Sequence, residues 1–175
     1  MKKLILKVKF GHKKDVVPFL AQRLALLVQT NAILSKYLQT SFEEAKSPLP
    51  PFTKGGVYVS YIPSHRRRRY LEKGYNQSEL LAKALAKELG LSMLSLAKKQ
   101  RYTLSQLKLS RDQRAKNLKN AFVAQHLDLL PKGSLVLLVD DVTTTGSTLL
   151  AMAKVLKSER EDLRIWGAVL ARNMG

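Results

Sequence analysis

One stretch narrows the fold more than any other. At residues 135–148 the aliphatic run Leu135, Val136, Leu137, Leu138 and Val139 leads directly into Asp140 and Asp141, then into a turn rich in hydroxyls. A strand needs unbroken apolar residues, rather than alternating ones, when both of its faces are covered, as in a parallel sheet. Leu149, Met152, Ala153 and Leu156 then recur at helical spacing, and residues 165–170 read as another strand. Upstream, residues 57–62 alternate and are rich in β-branched and aromatic types, so they predict a strand ending at Pro63. A helix follows, with Asn76 and Glu79 spaced as a capping box, Leu81, Leu85 and Leu89 as its apolar stripe, and Gly90 as its stop. Strands alternating with helices predict an α/β fold, a parallel sheet flanked by helices with ligands beyond the carboxyl ends of the strands.

The rest of the chain is less patterned. Residues 47–56 carry Pro48, Pro50, Pro51, Gly55 and Gly56 and form a linker. Everything before it reads as helical, with Asp15 as N-cap, Pro18 in the first turn and Val17, Leu20, Leu24, Leu27 and Val28 along one face. Residues 99–118 are polar and basic, a loop followed by a helix from about Ser110. At 175 residues, the expected organisation is a single domain over 1–175, a mainly helical part at 1–56 and a ligand-binding core at 57–175. No apolar run approaches the roughly 20 residues that cross a bilayer, and no secretory core follows the first lysines, which predicts a cytoplasmic protein without membrane insertion. The absence of cysteine excludes disulfides, thiolate zinc sites and cysteine nucleophiles, so any metal must meet oxygen.

The chemistry is concentrated at residues 140–148. Thr144, Thr145, Ser147 and Thr148 offer hydroxyl donors, Gly146 lets the backbone approach a ligand, and the unpaired amides of a new helix point at the same place. Such a turn suits a phosphate. Carboxylates repel phosphate, yet they accept hydrogen bonds from vicinal sugar hydroxyls and help retain a divalent cation, so the two parts together describe a ribose 5-phosphate. The plainer alternative makes Thr144 or Thr145 an ordinary N-cap beside two solvated aspartates. Neither a G-x-x-x-x-G-K-[ST] loop nor a pair of glycines at G-x-G spacing occurs, which disfavours a nucleotide triphosphatase or dinucleotide site.

These residues resemble the 5-phosphoribosyl 1-pyrophosphate (PRPP) motif of type I phosphoribosyltransferases: an apolar strand, two acids and a T-[TA]-G-x-[ST] loop. I-P-S-H-R-R-R-R from Ile62, K-G-Y-N-Q-S from Lys73 and the block running from Thr103 to Phe122 resemble, more narrowly, the ComF (ComFC) competence family. The resemblance implies a type I phosphoribosyltransferase-like sheet with a flexible loop over the site. It implies that Asp140 and Asp141 are the catalytic carboxylates, contacting ribose hydroxyls and meeting Mg²⁺ only through the ligand. It further implies that Thr143, Thr144, Thr145, Gly146, Ser147 and Thr148 hold the 5-phosphate. Pro63, Ser64, His65 and Arg66 would form the pyrophosphate loop, and the flexible loop would carry Thr103, Gln106, Arg114 and Asn117. Lys73 stands where that family usually has arginine, which keeps the charge but loses the bidentate fork. The four-cysteine zinc ribbon usual at the family's amino end does not occur in this sequence.

Charge sets the partner class. The chain has 31 Lys+Arg against 13 Asp+Glu, a formal +18, and such a field draws polyanions without choosing among them. Arg67, Arg68 and Arg69, with Lys73 and Tyr75, are candidates for a nucleic-acid surface, since basic grooves with aromatic platforms hold single strands without reading sequence. Solubilising charge and ordinary amphipathic packing explain the same residues equally well. Two readings follow: an enzyme that transfers the ribosyl group of Mg²⁺-PRPP to an acceptor, and a non-catalytic PRPP sensor that binds single-stranded DNA. The resemblance adds other competence proteins as partners. It leaves the acceptor and the oligomeric state open.

Overall fold

The computed structural model describes residues 14–44, 56–64, 75–100 and 121–172. A 3₁₀ turn at Lys14–Val16 leads into α1 (Val17–Thr30), followed by α2 (Ala32–Glu44), β1 (Val57–Tyr61), α3 (Gln77–Leu89) and β2 (Ser92–Met93). Next come β3 (Ala97–Lys99), β4 (Phe122–Ala124), a 3₁₀ turn at Leu127–Leu129, β5 (Leu135–Thr143), α4 (Ser147–Glu159) and β6 (Arg164–Arg172).

β2, β1, β5 and β6 form a parallel four-stranded sheet in that order. The aliphatic run of β5 lies between β1 and β6, and its residues 135–139 are almost fully buried, as a strand covered on both faces requires. Alternate residues serve two cores. Val57, Val59, Leu135, Leu137 and Val139 pack with Leu20 and Leu24 of α1, Leu34 and Leu38 of α2, and Leu81, Leu85 and Leu89 of α3. Tyr58, Val136 and Leu138 pack on the other face with Met152 and Leu156 of α4, and with Leu96 and Phe122.

This topology fixes where a ligand belongs. From β1 the chain crosses through α3 outward to β2; from β5 it crosses through α4 outward to β6, in the opposite direction and over the opposite face. The direction of winding therefore reverses between β1 and β5, and a crevice opens there beyond their carboxyl ends. Ile62 continues the pairing past β1, its amide donating to the Val139 carbonyl at 3.0 Å, so the segment after β1 departs right beside Asp140.

The opposite end of the sheet is tied by charge. Arg160 meets Asp162 through two bonds, Nε to Oδ1 at 2.8 Å and Nη2 to Oδ2 at 2.9 Å, and its Nη1 donates to the Leu127 carbonyl at 2.9 Å. Asp162 Oδ2 also accepts from the Gly133 amide at 2.7 Å. These bonds lower the Asp162 carboxyl well below the usual carboxylate range.

Separate from the sheet, β3 and β4 pair antiparallel, Lys99 opposite Phe122, and the Gln100 amide donates to the Ala121 carbonyl at 2.9 Å. Residues 101–120, where the sequence predicts a loop and a helix from Ser110, lie outside the described residues.

Several local expectations are corrected. Asp15 falls inside the 3₁₀ turn, so Val16 is the N-cap of α1, without a side-chain cap bond. Leu27 is 61% exposed; Ala21 and Ala25 complete the buried stripe instead, because they bring α1 close to α3. The helical segment breaks at Asn31, whose Oδ1 accepts from the Ile33 and Leu34 amides at 3.1 Å each and starts α2 in a new direction, bent by 93°. No single helix among the described residues is long and apolar enough to cross a membrane. Gly90 ends α3 as expected, left-handed at φ 63°, with the Leu91 amide donating to the Ala86 carbonyl at 2.9 Å.

Candidate functional site

The crevice between β1 and β5 is lined by three segments: the end of β5 with its turn, the residues after β1, and the start of α3. Asp140 is buried, with 9% of its surface exposed, whereas Asp141 is half-buried. The pair is thus unequal, which adjacency in sequence does not reveal. Asp140 Oδ1 accepts two bonds, from Ser78 Oγ at 2.8 Å and from the Asp141 amide at 2.9 Å. Asp141 Oδ1 accepts from the Val142 amide at 2.8 Å. Burial, and secondly the charge of Asp141, raise the Asp140 carboxyl to about 7, while the Ser78 hydroxyl and the Asp141 amide work against that rise. A buried acid held this way is a common mark of a functional site.

The turn that follows is organised around Gly146. It is the N-cap of α4 and sits at φ 76°, a left-handed conformation that glycine adopts at little cost. A Cβ built there would meet nothing within 4 Å, so the backbone angle, and not local crowding, demands the glycine. Neither Thr144 nor Thr145 is the N-cap. Thr143 Oγ1 accepts the Gly146 amide at 2.9 Å and Thr145 Oγ1 lies 3.0 Å from Ser147 Oγ, so these hydroxyls shape the turn themselves. The Leu150 amide donates to the Gly146 carbonyl at 2.9 Å. The Ser147 amide donates to Thr145 Oγ1 at 3.4 Å, and with no acidic residue in the first turn no charge within α4 neutralises its positive end. This is the geometry in which backbone amides take up an anion.

Pro63 and Ser64 lie at the crevice after β1, Pro63 buried and Ser64 half-buried. The Ser64 Oγ atom is enclosed and makes no hydrogen bond among the described residues. Tyr75 is half-buried just before α3. His65, Arg66, Arg67, Arg68, Arg69 and Lys73 lie outside the described residues, as do Thr103, Gln106, Arg114 and Asn117.

Three residues have a place in this site that sequence does not assign them: Asn76 reads only as a helix cap, Ser78 only as part of the K-G-Y-N-Q-S block, and Arg172 not at all. Asn76 occupies the N-cap position of α3, but its amide does not cap the helix as a capping box would; Nδ2 donates to the Ile62 carbonyl at 2.9 Å. Ser78, 5% exposed, holds Asp140. Arg172, opposite Thr143 at the end of β6, directs Nε at the Thr144 carbonyl at 3.4 Å. All three act across the fold, and only the spacing to Asp140 and Thr144 in three dimensions exposes them.

Among the described residues no group of three or more His, Asp or Glu side chains converges on one point.

Comparison with known proteins agrees with this geometry. A family described as the phosphoribosyl transferase domain matches residues 76–174, more than half of the chain. Competence protein F of Haemophilus influenzae is 39% identical over 166 residues, covering 92% of this chain and 71% of that protein. DNA utilization protein YhgH of Escherichia coli K12 is 32% identical over 165 residues, covering 93% of this chain and 64% of that protein. The YhgH protein of Salmonella typhi is 40% identical over 101 residues, 57% of this chain and 43% of its own length. The match to competence protein F runs through nearly all of this chain, and the domain match takes in both the start of α3 and the hydroxyl turn, so the chain belongs to the ComF/ComFC competence family within the phosphoribosyltransferase superfamily.

Proposed function

We propose that this protein binds Mg²⁺-PRPP in the crevice between β1 and β5 and transfers the phosphoribosyl group to an acceptor in a process of DNA uptake. The observation that carries the reading is the amino end of α4 behind Gly146, without an acidic residue in its first turn and following closely on Asp140 and Asp141 at the switch point of the sheet. Residues 143–148 would take the 5-phosphate, Asp140 and Asp141 the ribose hydroxyls, and the segment beginning Pro63–Ser64 the diphosphate. In the reaction the bond from the anomeric carbon to the diphosphate oxygen breaks, pyrophosphate leaves with the bonding pair, and the acceptor forms the new bond and gives up a proton. Mg²⁺ bound to the diphosphate would offset charge on the leaving group. The chain's own work is positional and electrostatic: anchoring the phosphate with amides, fixing the sugar with carboxylates and drying the crevice. Residues 1–175 would act as one such unit.

The part in DNA uptake is supported by the names of the relatives, competence protein F and DNA utilization protein. A formal charge of +18 favours a second reading, in which the same site senses PRPP while the basic surface binds single-stranded DNA.

Calorimetry with PRPP at millimolar magnesium, paired with an assay for released pyrophosphate, tests both. Saturable heat together with turnover supports the transferase, and heat without turnover supports the sensor. No heat at all, with Asp141→Ala indistinguishable from the unaltered protein, refutes both.

A further inference from the structure

Asn and Ser at the start of a helix ordinarily bond their own backbone, the first by capping an amide and the second by returning to a nearby carbonyl. At the start of α3 neither does so. Asn76, 7% exposed, donates to the Ile62 carbonyl at 2.9 Å, and Ser78, 5% exposed, donates to Asp140 at 2.8 Å. Ile62 lies at the end of β1 and Asp140 near the end of β5, the two strands that flank the switch point. Two buried side chains, two residues apart, thus hold the two sides of the crevice to one rigid helix.

We propose that the start of α3 is a bracket across the ligand crevice, with Ser78 a positioning residue for Asp140 and Asn76 a positioning residue for the segment after β1. Ser78 and the Asp141 amide both meet Asp140 Oδ1, which ties that oxygen of the carboxylate to α3 and to the backbone of β5. A hydroxyl donating to a carboxylate is among the stronger neutral-to-charged bonds, and in a buried place nothing competes for it. On the other side, the Ile62 bond sets the departure of Pro63 and Ser64. It holds the Ser64 hydroxyl, enclosed and without a hydrogen-bond partner among the described residues, beside the crevice. Sites with reacting groups held by such supporting contacts are the ones that keep their geometry.

This inference rests on the PRPP reading above, and a double-mutant cycle separates the two. Calorimetry of the full chain with magnesium would use PRPP and, separately, inorganic pyrophosphate. Ser78→Ala should weaken PRPP about tenfold, the equivalent of one hydrogen bond to a charged group. Pyrophosphate, which has no ribose for Asp140 to meet, should change less than about twofold. In an Asp140→Ala background, Ser78→Ala should add less than about twofold to the PRPP loss, because its effect passes through that carboxylate. Ser78→Thr, which keeps the hydroxyl, should recover most of the affinity, and Ser78→Cys, close in size with a weak donor, should fall between. Asn76→Ala should weaken both ligands.

Equal losses from Ser78→Ala in the two backgrounds, or equal losses for PRPP and pyrophosphate, would mean a merely structural serine and overturn the proposal. If the unaltered protein binds no PRPP, the functional reading falls. The bracket is then decided by the same cycle read through urea denaturation, where absence of coupling between Ser78 and Asp140 would sink it.

Discussion

Asp140→Asn tests whether the buried acid is kept at the expense of the fold. Burial first, and Asp141 second, raise its carboxyl from 3.8 to about 7. Between those values the folded protein still binds a proton that the unfolded chain has released, so in this contribution stability declines as pH rises from near 4 to about 7 and stays low above it. The interval corresponds to about 4 kcal/mol as an upper bound, since water and neighbouring groups relax around a buried charge. Asparagine is neutral at every pH and keeps an oxygen that can accept from Ser78 and from the Asp141 amide. The variant should therefore be more stable than the unaltered protein at pH 8, by up to about 4 kcal/mol, with the advantage shrinking toward zero near pH 4. Urea denaturation of both proteins across that range, in buffer with a chelator to remove magnesium, reads the difference directly. A variant no more stable at pH 8, or an advantage that stays flat with pH, would refute the reasoning. PRPP binding should move the other way and weaken, which would mark a residue retained for use and not for stability.

Two further outcomes follow from the backbone and from charge. Gly146→Ala should destabilise by about 1–2 kcal/mol, the left-handed penalty alone, because the added methyl meets open space. Gly146→Asn should be milder, since asparagine visits that conformation more readily, and denaturation of both variants checks the order. Asp162→Asn should lower the melting temperature at pH 7. The depressed Asp162 carboxyl stabilises the fold above its unfolded value of 3.8 and loses that effect as pH falls further, so the gap between the two proteins should close in acid.

How far the sequence spoke depended on the length of the pattern and the range of the contact. β5 could be read because five unbroken aliphatic residues have few other uses, and α4 because Met152 and Leu156 keep helical spacing behind a glycine. β2, β3 and β4 span two or three residues each, too short for periodicity to distinguish them from loop. Leu27 fits the stripe of α1 by spacing, yet the face actually covered is shifted toward Ala21 and Ala25, because small side chains let two helices approach. The site divides in the same way. Asp140, Asp141 and the hydroxyl turn form one contiguous run and are visible as a motif. Ser78 reaches Asp140 across 62 positions, and nothing local to a serine inside an apparent capping box announces that bond. The inequality of the two aspartates is likewise a matter of depth in the fold, which only the packing of α3 determines.

The ribbon of β3 and β4 bears on how such a chain can change. Since Gln100 is hydrogen-bonded to Ala121, the chain leaves for residues 101–120 and returns from them at almost the same spot. The ends are already joined, and closure entropy grows only with the logarithm of loop length. Insertions, deletions or wholesale replacement of that excursion should leave the parallel sheet as stable as before. Changes of length there can therefore accumulate without altering the pairing of the strands on either side.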